Sequence, residues 1–198
     1  MRLRSGGNRR MMDNEKRRSR EAYMMLNIRV LTSESPELPE VIALYESAFP
    51  EIERRSLPGM LRDRSGHLEL LSFYEENCFE GLLFLLNCGD ISHIIYFAVP
   101  EPLRGQGIGG RILETVTESK AGQRIILDIE EPDVTAPNNM QRLRRRAFYL
   151  RHGFRVSGVS YRWRGEKYDI LISGGELTKR GFYRFWKDLM ADGFRWDD

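Results

Sequence analysis

The chain reads as an α/β protein, a single mixed and mostly antiparallel sheet flanked by helices. Three features predict this: strands separated by short polar turns between residues 67 and 99, a strand, glycine turn, helix and strand in succession from 91 to 130, and a closing hairpin around Arg164-Gly165-Glu166. Short turns join antiparallel neighbours, whereas a strand, helix and strand in succession give parallel pairing. At 198 residues and 41% hydrophobic, one domain or at most two fits, with a core that stands without metal or disulfide staples.

Taken in order, folded structure is expected to begin near Asn27, where Ile28 and Val30 mark a short strand. Ser35-Pro36-Glu37 reads as a helix start, with proline at a position whose N–H has no helical acceptor. Leu38, Ile42, Tyr45 and Phe49 then recur at helical steps until Pro50, and a weaker second helix is expected around Leu57 to Arg64. From His67 the period changes to that of strands: Leu68 to Tyr74, Phe79 to Leu86 and Ile91 to Val99. The unbroken Ile94-Ile95-Tyr96-Phe97-Ala98-Val99 implies burial on both faces, hence a central strand. After Pro100 and a glycine-rich turn, a helix is predicted from about Gly109 to Lys120, with Gly122 as its stop and a strand from Arg124 to Glu130. Met140, Leu143, Ala147 and Leu150 mark the predicted apolar face of the next helix, closed by Gly153. Phe154 to Trp163 and Lys167 to Ile172 form the hairpin, and Phe182, Phe185, Trp186 and Leu189 the buried face of a final helix. The organisation expected is a basic extension over residues 1–26 and a single domain over 27–198.

Charge has to be located before it is interpreted. Lys and Arg number 31 against 29 Asp and Glu, for a net +2. Residues 1 to 20 carry eight bases and two acids, so the body is mildly acidic, which argues against a nucleic-acid partner. The basic head has no apolar stretch of a secretory signal; it is expected to be a disordered tail, or else a binding arm or address, and Met11, Met12, Met24 and Met25 offer later starts. A mean hydropathy of −0.48 and the lack of an apolar run near the ~20 residues a bilayer span requires argue against a membrane protein, and the expected location is the cytoplasm. Cys78, Cys88, His67, His93 and His152 fall into none of the close spacings of a zinc motif, so no metal is expected.

The chemistry concentrates at Arg104-Gly105-Gln106-Gly107-Ile108-Gly109-Gly110. A helix start presents N–H groups without helical acceptors and the positive end of the helix dipole, and glycines let phosphate oxygens approach the backbone. Two readings meet this turn. As G-x-G-x-x-G with Asp128 at the end of the next strand, it suits a nicotinamide dinucleotide. The five residues from Pro100 to Arg104 before the first glycine speak against that, since the dinucleotide turn is tight.

The second reading is a resemblance. The segment YFAVPEPLRGQGIGGRIL carries (Arg/Gln)-x-x-Gly-x-(Gly/Ala) at Arg104, Gly107 and Gly109, and AFYLRHGF carries Tyr-x-x-x-Gly-Phe from Tyr149 to Phe154. Both, in this order, resemble the GCN5-related N-acetyltransferases, across residues 27 to 172. The resemblance implies an acyl-CoA N-acyltransferase fold whose central parallel strands, the fourth and fifth, splay apart. It also implies acetyl-CoA as co-substrate, direct transfer to a primary amine of a small molecule or peptide, and a monomer or homodimer. The alternatives are a noncatalytic acyl-CoA-binding sensor module or the nicotinamide enzyme.

Carried over position by position, the resemblance assigns the main chain of Phe97, Ala98 and Val99 to the pantetheine arm and an oxyanion contact. It assigns Arg104, Gly105, Gln106, Gly107, Ile108, Gly109 and Gly110 to the pyrophosphate, and Tyr149 to protonation of the departing thiolate. Arg142 and Arg145 stand where many members have Asn and Ala; Arg145, on the side of Tyr149, can reach phosphate. Removing a proton from an ammonium calls for a carboxylate near the split, and Glu130 is the first choice, with Glu131 beside it and His152 a helix-end alternative. Glu46, Glu51 and Glu53 are the candidate contacts for a cationic acceptor.

Overall fold

The computed structural model describes residues 26–196. The expected basic extension, apart from residue 26, lies outside the described residues. Among the described residues, seven strands form one sheet: β1 (Asn27–Val30), β2 (Leu68–Glu75), β3 (Cys78–Cys88), β4 (Ile91–Ala98), β5 (Arg124–Glu130), β6 (Arg155–Trp163) and β7 (Glu166–Ser173). Five α-helices accompany them: α1 (Leu38–Ala48), α2 (Leu57–Arg62), α3 (Ile108–Ser119), α4 (Asn139–Arg151) and α5 (Lys179–Ala191). Short 3-10 turns occupy Glu51–Glu53 and Glu101–Leu103.

The order across the sheet is β1-β2-β3-β4-β5-β7-β6, antiparallel throughout except for β4 beside β5. β3 fixes the layers. Its Leu83 and Leu85 join the core beneath α3 and α4, while Leu82 and Phe84 join the one beneath α1 and α2, all fully buried. Leu86 continues the second face into the cluster closed by Phe182, Phe185 and Leu189 of α5. A strand buried on both faces reads as a continuous apolar run, and each such side chain contributes roughly 1.5–3 kcal/mol of burial free energy.

The parallel pair is short. Ile91 to Ile94 pair with Arg124 to Leu127 and the ladder then stops. Beyond it, β4 continues to Ala98 against β3 alone and β5 continues to Glu130 against β7 alone, so the sheet forks at its centre. A register shift helps to open it. Phe84 lies opposite Tyr96 and Leu85 opposite Ile94, leaving Ile95 as an extra residue on β4. A bulge of this kind bends and twists its strand.

Two helix faces differ from expectation. α1 starts at Leu38 with Pro39 in its first turn and buries Val41, Leu44 and Tyr45, so Ile42 faces outward. α4 buries Arg142 and Tyr149, leaving Met140, Leu143 and Leu150 exposed. Its buried stripe is paid for in ion pairs: Arg142 meets Glu130 at 3.2 Å and Glu166 at 3.0 Å, and also donates to the Glu131 carbonyl and to Asn138 Oδ1.

Candidate active site

The fork opens a cavity of about 610 Å³. Phe97 and Ala98 of β4, Val99 just beyond it, and Asp128 and Glu130 of β5 line it, with Tyr149 and Arg145 of α4 on one side and Phe49, Pro50 and Glu53 on the other. A second cavity of about 510 Å³ follows Phe97 to Val99 down to Arg104, Gly105, Gly107, Gly109 and Gly110. The two share Phe97, Ala98, Val99, Arg104 and Arg145, so the segments singled out in the sequence lie along one continuous groove.

The glycine turn divides by role. Gly105 (φ +77°) and Gly107 (φ +85°) are left-handed, and a Cβ built on either meets nothing within 4 Å. Those positions need glycine for conformation and leave the space above open. A Cβ at Gly109 would sit 3.2 Å from Phe148, and one at Gly110 only 2.3 Å from Cε1 of His152, so these two let α3 approach α4. The Gly110 N–H already donates to the Gly107 carbonyl, as does that of Arg111. The Ile108 and Gly109 amides are then the first-turn donors without a helical acceptor. Gln106 ties its side chain to the Pro102 carbonyl, and Arg104 Nε donates to the Val99 carbonyl, fixing the turn against the end of β4.

Tyr149 is buried beside Phe148 and Phe154, and burial pushes its phenol up to about 12, partly offset by the Arg145 charge. Arg145 is half exposed and pairs with Glu130 Oε2 at 3.4 Å. Glu130 thus has one oxygen on Arg145 and the other on Arg142. Of the proposed acceptor contacts, Glu53 lines the cavity, whereas Glu46 and Glu51 are exposed and do not. Glu131 pairs with Lys167, and His152 packs on Phe148, away from the fork cavity.

Asp128 was legible only as a dinucleotide acid, and the structure gives it another setting. Its Oδ2 accepts from Nε2 of buried His93 at 2.8 Å, while Oδ1 is buried and has no hydrogen-bond partner among the described residues. His93 in turn is edge-on to Phe182, Phe185 and Trp186, and its buried Nδ1 has no partner among the described residues. A protonated Nδ1 in that aromatic enclosure would bury an unpaired donor, so the neutral ring donating through Nε2 is favoured and the negative charge rests on Asp128. The neighbouring Tyr161 hydroxyl is raised by burial and by Asp128. The signal in the sequence was two polar residues, His93 and Asp128, interrupting neighbouring apolar strands.

The wall opposite α4 is held by tyrosines. Tyr96 donates to the Glu53 carbonyl at 2.8 Å, and the Arg55 N–H meets the hydroxyls of both Tyr96 and Tyr45. Arg164 at the β6–β7 turn donates to the Ile52 carbonyl, bringing the hairpin tip over the same loop.

A forked mixed sheet beside a glycine-turned helix start defines an acetyltransferase fold. Residues 69–156 match the acetyltransferase (GNAT) domain family. Among solved structures it is similar to a GNAT-family protein of Bacteroides thetaiotaomicron, at 21% identity over 85% of this chain and 99% of that one, with a TM-score of 0.70. It is similar also to a GNAT-family acetyltransferase of Elizabethkingia anophelis with acetyl-CoA bound, at 18% identity, 76% and 98% coverage and a TM-score of 0.51. A third is the ribosomal-protein-S18-alanine N-acetyltransferase of Escherichia coli, at 16% identity, 78% and 96% coverage and a TM-score of 0.56. No curated protein sequence matches the chain. Among the described residues no helix is long and apolar enough to cross a membrane.

Proposed function

We propose that this protein is an acetyl-CoA-dependent N-acetyltransferase that moves the acetyl group directly to a primary amine of a small molecule or peptide. The observation that carries the reading is the fork, whose unpaired β4 edge leads without interruption into the open turn at Gly105 and Gly107. The groove fits the co-substrate in kind: a strand edge for an extended amide-bearing arm, then donors and Arg104 for a pyrophosphate. When bound, the thioester supplies the activated acyl carbon.

The residues then divide the proton work. The amine nitrogen bonds to the acyl carbon, the carbonyl oxygen takes negative charge near the amides of β4, and the carbon–sulfur bond breaks as the carbonyl re-forms. Tyr149 gives its proton to the departing sulfur, its raised phenol keeping that proton available at neutral pH, and the second proton that the nitrogen sheds as the amide forms restores the phenol. Asp128 takes the proton of the acceptor ammonium, since it lines the fork cavity, and His93 holds it in place. Glu130, committed to Arg142 and Arg145, positions Arg145 at the junction of the two cavities.

An acetylation screen over polyamines, aminoglycosides, amino acids and peptide N-termini, reading free thiol, tests the function, beside thermal stabilisation by acetyl-CoA against NADH. With an acceptor in hand, Asp128→Asn is expected to lower kcat about 100-fold or more. Glu130→Gln is expected to change mainly the acetyl-CoA KM. The reverse pattern would make Glu130 the base. Stabilisation by acetyl-CoA with no acceptor turned over would favour a sensor module.

A further inference from the structure

Away from the fork, the fold gathers three metal-ligand side chains that are far apart in sequence. His67 precedes β2, Cys88 ends β3 and Asp192 caps the end of α5. One ring nitrogen, the thiol sulfur and one carboxylate oxygen lie within 4.8 Å of one another. His67 and Asp192 are 125 positions apart in sequence, and no spacing rule for closely spaced zinc ligands reaches this trio.

The histidine tautomer makes the cluster more than a coincidence of neighbours. Nδ1 of His67 lies 2.7 Å from the main-chain oxygen of Asn87. A carbonyl oxygen has no hydrogen to give, so Nδ1 carries the proton and donates it. Nε2 of the neutral ring is then a lone pair, and it faces Asp192 Oδ2 at 3.4 Å. Two electron-pair donors at that separation call for a positive centre. A proton on Nε2 would serve, but it would leave the Cys88 sulfur without a part, whereas a thiolate is what a borderline-soft divalent cation selects. A 3.4 Å separation is also the edge of a tetrahedron whose centre lies about 2.1 Å from each ligand, the zinc bond length to nitrogen and oxygen. A ring N–H given to a backbone carbonyl is the outer contact that fixes a metal-binding histidine. The carbonyl end of α5 adds the negative end of a helix dipole.

We propose that His67 Nε2, Cys88 Sγ and the Asp192 carboxylate bind one divalent cation of the zinc class. The ion pins the end of α5 to the start of β2 and the end of β3. Binding exchanges the Cys88 thiol proton for a sulfur–metal bond and releases the proton to solvent. The site is structural, since Cys88 lies opposite Ile91 at the far end of the β3–β4 ladder from the fork.

The test uses the full chain, reduced and stripped with chelator, titrated with Co²⁺. A thiolate-to-cobalt charge-transfer band saturating at one equivalent, displaced by Zn²⁺, is expected, together with a higher Tm in Zn²⁺. Residues 1–25 contain no Cys or His, so Cys78 is the only competing thiol, and Cys78→Ser should keep the band while Cys88→Ser abolishes it. Asp192→Asn, a change at an exposed side chain that leaves folding intact, should weaken Co²⁺ binding about tenfold or more. His67→Ala should do the same. Absence of the band, its survival in Cys88→Ser, or a Tm indifferent to Zn²⁺ would overturn the proposal and leave an ordinary His–Asp pair. Acetyl-CoA binding in Cys88→Ser should match the parent, so this result stands apart from the proposed transferase activity.

Discussion

At the scale of single residues, the groove rests on conformation at one end and on proton affinity at the other. Gly107 has the left-handed φ of the residue that caps α3, with open space where a side chain would project. Gly107→Ala should cost roughly 1–2 kcal/mol of strain without a clash, and Gly107→Glu adds like charge where phosphate is expected to sit. Acetyl-CoA thermal shifts should therefore shrink for alanine and vanish for glutamate. Tyr149→Phe should lower kcat about 10²–10⁴-fold with little change in acetyl-CoA affinity. Because burial disfavours the phenolate, no alkaline loss of rate is expected from Tyr149 below its raised value of about 12. That the glycines and Tyr149 line one groove was legible from their motifs, since backbone freedom and a helix-borne phenol leave fixed spacings in a sequence. The role proposed for Asp128 was not, because it rests on contact with His93 on a neighbouring strand, and strand pairing is not written as a spacing.

Between elements, the decisive contact is the crossing of α3 and α4. The Cβ of Gly110→Ala would meet the His152 ring at 2.3 Å, so the helices must separate or the ring must leave. A loss of about 1–3 kcal/mol is expected in denaturant unfolding. Adding His152→Ala should restore much of it, and a double-mutant cycle with no coupling between the two positions would contradict this packing. Element existence was legible throughout, and the misreadings concern faces. Apolar periodicity named Met140, Leu143 and Leu150 for the core side of α4, yet the helix turns Arg142 and Tyr149 inward because Glu130 and Glu166 supply partners for the guanidinium. Partner charges on distant strands decide such a face, and a helical wheel does not contain them. The same arginine stands where the family often has asparagine, and its donors are spent on the protein itself.

For the whole molecule, ion pairs join distant parts of the surface and give its acid stability a direction. Hydrogen bonding to Arg111 holds Glu75 below its ordinary 4.5, and hydrogen bonding to Arg124 does the same for Asp90. Carboxylates lowered by folding contribute fully above their ordinary values, and that contribution is lost as pH falls through the lowered ones. Tm should accordingly fall below about pH 4.5, and Glu75→Gln or Asp90→Asn should flatten the decline. The sheet class, its meander and its one parallel pair were legible from turn lengths and the βαβ passage. The point where the parallel ladder stops was implied only by resemblance, since the bulge at Ile95 has no sequence mark of its own. That fork also bears on solubility. Bare strand edges normally sit at a sheet's rim, where another chain can dock and start aggregation. This protein keeps a pair of them indoors, with α4 on one flank and the loop around Glu53 on the other. The bare edges thus face the fork cavity and not the rim, where a neighbouring copy would meet them.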